Sequence, residues 1–290
     1  MMSIKTFNYQ GISIYYAEQG VGKTILFIHG LASASYSWRH VIGDLSSMYR
    51  TIAIDLKGAG LSDKPSDKRY SLQDQVDMVI RFIMDKDLNN ITLVGHSYGG
   101  AVSLMVYQQL SAESPLQKVV NRIILLDPMA YKDKIPFVIN LLRIPKLNYL
   151  MLNCLLPLGR LPFLVRLGSG KVFYDKSKVT DEMIDVYMGF MKQAGGVSAL
   201  TTTIEQIFTD DTEDFHRLLK DIRIPVLIIW GREDPIIPLS VGERFKEDIS
   251  HAEWLIIPEC GHNPHEEKPS EVIQSIKQFI VRTETLNEKE

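Results

Sequence analysis

Six short apolar runs limit what this chain can fold into. They are Thr24-Ile25-Leu26-Phe27-Ile28, Thr51-Ile52-Ala53-Ile54, Ile91-Thr92-Leu93-Val94, Ile123-Ile124-Leu125-Leu126, Val226-Leu227-Ile228-Ile229-Trp230 and Trp254-Leu255-Ile256-Ile257. Apart from Thr24, Thr51 and Thr92, each is apolar at every position, not alternating. Such a strand is buried on both faces, as in a parallel sheet covered by helices. Parallel neighbours need crossover connections, and helix-like segments of suitable length lie between the runs. One of them, residues 71–88, places Val76, Val79, Ile80, Ile83 and Leu88 on one face, with Ser71 placed to cap it. Ahead of the first run, residues 4–9 and 12–18 alternate around Gln10-Gly11, which reads as a hairpin. The expected fold is therefore α/β: a mostly parallel eight-stranded sheet with helices on both faces.

The rhythm stops near Pro128. Residues 129–221 hold no convincing strand, only helix-like pieces cut by Pro136, Pro145, Pro157 and Pro162. Strand and helix then alternate again. Both flanks belong to one sheet, so the interval reads as an inserted helical cap on its loop edge. The core domain would comprise residues 1–128 and 222–290, and the cap residues 129–221. Residues 135–170 are dense in Leu, Ile, Phe and Met, with Arg143, Lys146, Arg160 and Arg166 and no acid. Two readings fit. The apolar residues pack the cap on the body with the cations in water, or they line a hydrophobic acyl pocket with a basic rim.

Composition excludes several classes. Net charge is −3, so nothing points to nucleic acid. Cys154 and Cys260 supply neither a disulfide framework nor a metal quartet. The first eight residues lack the apolar centre of a secretory leader, and no run of about 18 apolar residues suggests a membrane-spanning helix. A cytoplasmic location is the expectation. Ala17-Glu18-Gln19-Gly20-Val21-Gly22-Lys23-Thr24 resembles a degenerate phosphate loop, but a buried strand follows it where a helix N-terminus is required.

Chemistry gathers at Gly95-His96-Ser97-Tyr98-Gly99, between an apolar strand and a helix-like stretch. Gly-x-Ser-x-Gly in that setting raises a hydroxyl above the sheet edge. A serine needs a base to take its proton, usually a histidine oriented by a carboxylate. Of seven histidines, His262 follows the last strand, at the same carboxyl edge as Ser97. Asp234 follows the preceding strand. Asp127 also ends a strand and is the rival acid, and Glu233 is adjacent to Asp234. His262-x-x-His265 has metal-ligand spacing but lacks the His-Glu-x-x-His context.

The order Ser97, Asp234, His262 resembles that of the α/β-hydrolase superfamily. The resemblance spans nearly the whole chain. It rests on His29-Gly30, Asp55 with Gly58-x-Gly60-x-Ser62, Gly95-His96-Ser97-Tyr98-Gly99-Gly100, Gly231-Arg232-Glu233-Asp234-Pro235, and Gly261-His262 with Glu267-Lys268-Pro269. It implies Ser97 as nucleophile, His262 as base and Asp234 as orienting acid. It also implies an oxyanion hole from the N–H groups of Tyr98 and Leu31, with Ala32 the second choice for the latter. No cofactor or metal is implied. Members that open epoxides or displace halide use aspartate at the nucleophile position, so serine points to acyl transfer. The reading is a carboxylesterase for a small or medium hydrophobic ester. Carbon–carbon hydrolases of ring-fission dienoates are similar through Cys260-Gly261-His262, but usually carry tryptophan where this chain has Asn263. Other specialised acyl hydrolases (lactonase, thioesterase, perhydrolase) and a ligand-binding protein on a hydrolase fold are the further alternatives.

Overall fold

The computed structural model describes residues 3–112, 118–129, 131, 161–207 and 215–287. Its strands are β1 Ser3–Tyr9, β2 Ile12–Gln19, β3 Thr24–Ile28, β4 Arg50–Ile54, β5 Ile91–His96, β6 Val120–Leu126, β7 Val226–Gly231 and β8 Glu253–Ile257. Its helices are α1 Arg39–Leu45, α2 Leu72–Asp85, α3 Tyr98–Ala112, α4 Leu161–Val172, α5 Asp181–Lys192, α6 Gly196–Gln206, α7 Phe215–Lys220, α8 Leu239–Asp248, α9 Pro264–Glu267 and α10 Pro269–Asn287. All eight strands join one sheet in the order β1-β2-β4-β3-β5-β6-β7-β8. The β1–β2 and β2–β4 pairs are antiparallel, and the remaining five pairs are parallel.

The uninterrupted apolar runs are explained by two cores, one on each face. In β3, Leu26 and Ile28 enter a core shared with Val76, Val79 and Phe82 of α2, Ala101 and Val102 of α3, and Phe245 of α8. The intervening Ile25 and Phe27 face the other way, into a core with Val41 and Leu45 of α1 and Val272, Ile276 and Phe279 of α10. Side chains alternate across a strand, so only a strand covered on both sides can be apolar at every position. Burying one such Leu, Ile or Phe contributes about 1.5–3 kcal/mol.

Helix α2 starts where the sequence allows it. Ser71 Oγ accepts the Asp74 N–H at 3.1 Å, and Asp74 Oδ2 accepts the Ser71 N–H at 3.0 Å, a reciprocal capping box. Ser71→Ala is expected to lower unfolding free energy by about 1 kcal/mol, read as a lower urea midpoint with unchanged slope. An unchanged midpoint would remove the cap from the account.

The chain leaves the sheet after β6 and returns at β7, although these strands are parallel neighbours, with Ile123 opposite Val226 and Leu126 opposite Ile229. The described part of the intervening segment is helical. Phe173, Val179, Met183, Ile184 and Met188 form a small core of their own there. Phe215, Leu218 and Leu219 of α7 instead pack into the main core with Tyr107 of α3 and Phe245 of α8. Most of the Leu-rich stretch 135–170, including Arg143, Lys146 and Arg160, lies outside the described residues, as does Cys154. Among the described residues no helix is long and apolar enough to cross a membrane.

Candidate active site

Ser97 sits between β5 and α3 with φ +50°, the left-handed region that side chains other than glycine rarely occupy. Such a residue costs about 1–3 kcal/mol and persists only where its surroundings hold it. Here they do. The Ser97 N–H donates to Leu126 O at 3.0 Å, and Ser97 O accepts the N–H groups of Gly100 at 2.9 Å and Met129 at 3.0 Å. The flanking glycines supply space. A Cβ on Gly95 would meet Ser103 Oγ at 2.5 Å, one on Gly99 would meet His29 O at 2.5 Å, and one on Gly100 would meet Pro128 Cβ at 2.7 Å. Gly99→Ala is therefore expected to destabilise the fold by about 1–3 kcal/mol or more, because a strand-end carbonyl cannot move aside. A melting temperature equal to wild type would contradict this packing.

Three polar side chains converge above the turn. Ser97 Oγ lies 2.9 Å from His262 Nε2, and His262 Nδ1 lies 2.7 Å from Asp234 Oδ2. All three are buried, Ser97 at 8% exposed and Asp234 and His262 at 6%. Asp234 has both oxygens engaged. Its Oδ1 accepts the N–H groups of Ile236 at 2.7 Å and Ile237 at 3.0 Å, which leaves Oδ2 for the imidazole. A carboxylate can only accept, so Nδ1 carries the proton and Nε2 is left to accept from the serine hydroxyl. The geometry can thus draw a proton from Ser97 to His262.

Asp127, the rival acid, is at the next strand end and fully buried. Its Oδ1 accepts the Gly231 N–H at 2.9 Å, and its Oδ2 meets no partner among the described residues. Burial first, and the nearby Asp234 charge second, push its carboxyl well above the usual range. Asp127, Asp234 and His262 each place one atom within 4.8 Å of the others, a spacing that could suit a metal ion. Yet the His262 atoms that could bind it are the two already engaged with Asp234 and Ser97.

Three other histidines, His29, His96 and His265, are held in buried contacts. His29 Nε2 accepts the Leu56 N–H at 3.0 Å, so its Nδ1 carries the proton and donates to Gly30 O at 2.8 Å. His96 Nε2 donates to the backbone O of His262 at 2.7 Å. Burial lowers the pKa of both, strongly for His96, favouring the neutral ring. His265 is buried between Trp38, at 4.3 Å between ring centres, and His96, at 4.6 Å. Burial pushes its pKa well down too. Trp38 is core, packed on Phe27.

Leu31 lies in the turn after β3 and follows Gly30, which abuts Ser97. A Cβ on Gly30 would come within 3.3 Å of Ser97 Cβ. The Tyr98 N–H opens helix α3, where backbone donors point outward. The sequence of Asp55 with Gly58-x-Gly60-x-Ser62 does not reveal what the stretch does, and the fold does. Asp55 Oδ1 accepts the Ser35 N–H at 2.6 Å and Oδ2 the Leu61 N–H at 2.7 Å. It thereby ties the loop that carries Leu31 to the glycine-rich turn. The available signal was an acid ending a buried strand beside an unusually tight turn.

The sequence model of the alpha/beta hydrolase fold matches residues 23–269, and the chain belongs to that family. It is 30% identical over 280 residues to YugF, an uncharacterized hydrolase of Bacillus subtilis, covering 96% of this chain and 97% of that protein. It is 26% identical over 280 residues to the 2-hydroxy-6-oxo-6-(2'-aminophenyl)hexa-2,4-dienoic acid hydrolase of Metapseudomonas resinovorans, covering 95% and 90% of the two chains. Among solved structures, the epoxide hydrolase CorEH without ligand matches with a TM-score of 0.81 at 21% identity, over 97% of this chain and 99% of that one. That likeness concerns the fold alone. The protein is a hydrolase of the alpha/beta fold family.

Proposed function

We propose that the protein is a serine carboxylesterase for small or medium hydrophobic esters, working through an acyl-enzyme. The observation that carries the reading is the hydrogen-bonded line Ser97 Oγ, His262, Asp234, at 2.9 and 2.7 Å. His262 Nε2 takes the Ser97 proton as Oγ attacks the ester carbonyl. The oxyanion is met by the Tyr98 and Leu31 N–H groups, each such donor being worth about 3–4 kcal/mol in the transition state. His262 then returns the proton to the leaving alkoxide. Water, deprotonated by His262, attacks the acyl carbon, and His262 returns that proton to Ser97 Oγ as the ester bond breaks and the acid leaves. Asp234 holds the tautomer and stabilises the imidazolium without itself taking the proton.

On this reading the interval 129–221 is a cap over the carboxyl edge of the sheet, and it selects the acyl group. The apolar character of residues 135–170 supports a hydrophobic acyl chain. The serine nucleophile favours ester chemistry over epoxide opening, despite the likeness of fold to an epoxide hydrolase. A second reading, hydrolysis of a carbon–carbon bond in a dienoate, is supported by the Metapseudomonas relative. Asn263 beside the candidate base, where such enzymes usually carry tryptophan, weighs against it. Initial rates on a panel of p-nitrophenyl esters of increasing chain length, set beside a ring-fission dienoate, separate the two. Ester turnover without dienoate turnover is the expected result, and the reverse would replace the proposal with the second reading.

A further inference from the structure

One acid outside the Ser97–His262–Asp234 line is wired directly into it. Glu267 closes the short helix α9 and is buried, 3% exposed. Its Oε1 accepts the Gly261 N–H at 2.8 Å. Its Oε2 accepts the Tyr174 N–H at 2.8 Å and the Asp175 N–H at 3.1 Å. Beside these, the His262 N–H donates to Val172 O at 2.8 Å. Val172, Tyr174 and Asp175 lie at and just beyond the end of α4, in the helical insertion. Gly261 and His262 lie in the loop after β8. One carboxylate therefore gathers three backbone donors from both segments, and a fourth hydrogen bond runs directly between them.

The fit leaves no slack. A Cβ on Gly261 would fall on Val172 O, and would lie 2.7 Å from Tyr174 N and 2.9 Å from Glu267 Oε1. Gly261 has no positive φ, so the glycine supplies room for the insertion's backbone and not an unusual conformation. From the opposite side, His96 Nε2 donates to the His262 carbonyl. The backbone of His262 is thus held at its N–H by the insertion and at its C=O by the residue before Ser97. Burial raises the pKa of Glu267 and the backbone N–H groups pull it back, as expected for a carboxylate whose hydration is replaced by amides.

We propose that Glu267 is a positioning residue: a clasp that seats the end of α4 on the Gly261-His262 loop and thereby sets the reach of His262 to Ser97. The insertion then serves the base as well as the acyl group. This inference rests on the esterase reading for its kinetic consequence, not for the clasp itself. Glutamine at 267 has a single acceptor oxygen, so it can satisfy Gly261 or the Tyr174 and Asp175 pair but not both. Its amide would face a donor on the other side. A displacement of the base by about 1 Å is enough for a roughly 100-fold loss in rate.

The test uses E267Q, G261A and the double variant. Turnover is normalised to sites titrated with a fluorophosphonate, melting temperature is measured alongside, and amide hydrogen exchange is followed in peptides covering residues 172–175 and 259–263. Each single variant is expected to lose about 10- to 100-fold in kcat per titrated site, with a smaller change in KM. Exchange should rise in both segments together. The double variant should be no slower than the worse single, because both substitutions open the same contact. A lower melting temperature with kcat per site within about twofold of wild type would make Glu267 merely structural and overturn the proposal. So would faster exchange confined to one segment. If E267Q does not fold, Glu267→Asp keeps the charge but shortens the reach, and the same readouts apply. If wild type is not labelled at Ser97, the esterase reading fails, while the exchange data still decide whether the clasp exists.

Discussion

Ser97→Ala should reduce turnover of a short p-nitrophenyl ester by about five to six orders of magnitude while leaving the protein folded. The acyl-enzyme reading requires an oxygen nucleophile at this atom, and the methyl group that replaces it can neither attack nor donate to His262 Nε2. What remains should be the modest rate left by oxyanion donors and substrate binding. Alanine keeps the backbone bonds of the turn to Leu126, Gly100 and Met129, which involve only the Ser97 N–H and C=O. The lost side-chain hydrogen bond is worth about 1 kcal/mol net, so the melting temperature should shift by only a few degrees. A fluorophosphonate should add its mass to the wild-type peptide containing Ser97 and to no peptide of the variant. Labelling at another residue, or a variant that retains its rate, would sink the nucleophile assignment.

Asp234→Asn should lower kcat by about four orders of magnitude, and Asp127→Asn by less than about tenfold. The difference follows from what each oxygen touches. Asp234 Oδ1 accepts from two backbone N–H groups, Ile236 and Ile237, so an asparagine must keep its carbonyl oxygen there. Its NH2 then faces His262 Nδ1, which can only accept from it. The proton is driven to Nε2, the atom that the proposed mechanism needs free to receive the Ser97 proton. Asparagine at 127 keeps the oxygen that accepts from Gly231, and the hydrogen bond to His262 Nδ1 comes from Asp234, not from this residue. If Asp127→Asn were the inactive variant and Asp234→Asn the active one, the acid would have been misassigned.

Asp127 carries a further consequence in stability. Its carboxyl is raised above the ordinary value of 3.8, by burial and by Asp234. The fold therefore prefers its protonated form. The stability this contributes is complete below the unfolded pKa and is lost as pH rises through the folded one. Asparagine cannot ionise, so the melting temperature of Asp127→Asn should gain on wild type as pH rises across that window. Parallel melting curves of the two proteins against pH would contradict the direction assigned to Asp127.

The sheet was legible in the sequence because burial on both faces writes itself into a strand as an unbroken apolar run. Ile25 and Phe27 serve one core and Leu26 and Ile28 the other, so neither face of the strand is left for water. The start of α2 was legible because a cap is a local contact, Ser71 with a residue three positions on. The insertion was legible as a break in rhythm. Ser97, Asp234 and His262 could be nominated because each follows a buried strand, and parallel strands deliver such residues to one edge.

Strand-end position could not separate Asp127 from Asp234, since both meet that criterion. Only the folded molecule decides which carboxylate faces His262 Nδ1 and which turns to the Gly231 N–H. The same holds for His96, whose ring reaches a carbonyl 166 residues away, and for Glu267, whose carboxylate meets amides 93 and 92 residues away. By itself the sequence determined the α/β architecture, the interruption between two neighbouring strands and the candidates for chemistry, because hydrophobic periodicity and turn chemistry act over a few residues. Tertiary structure alone decided which polar atoms meet, because a buried carboxylate or imidazole finds its partners among whatever backbone the topology carries beside it, at separations no local pattern records.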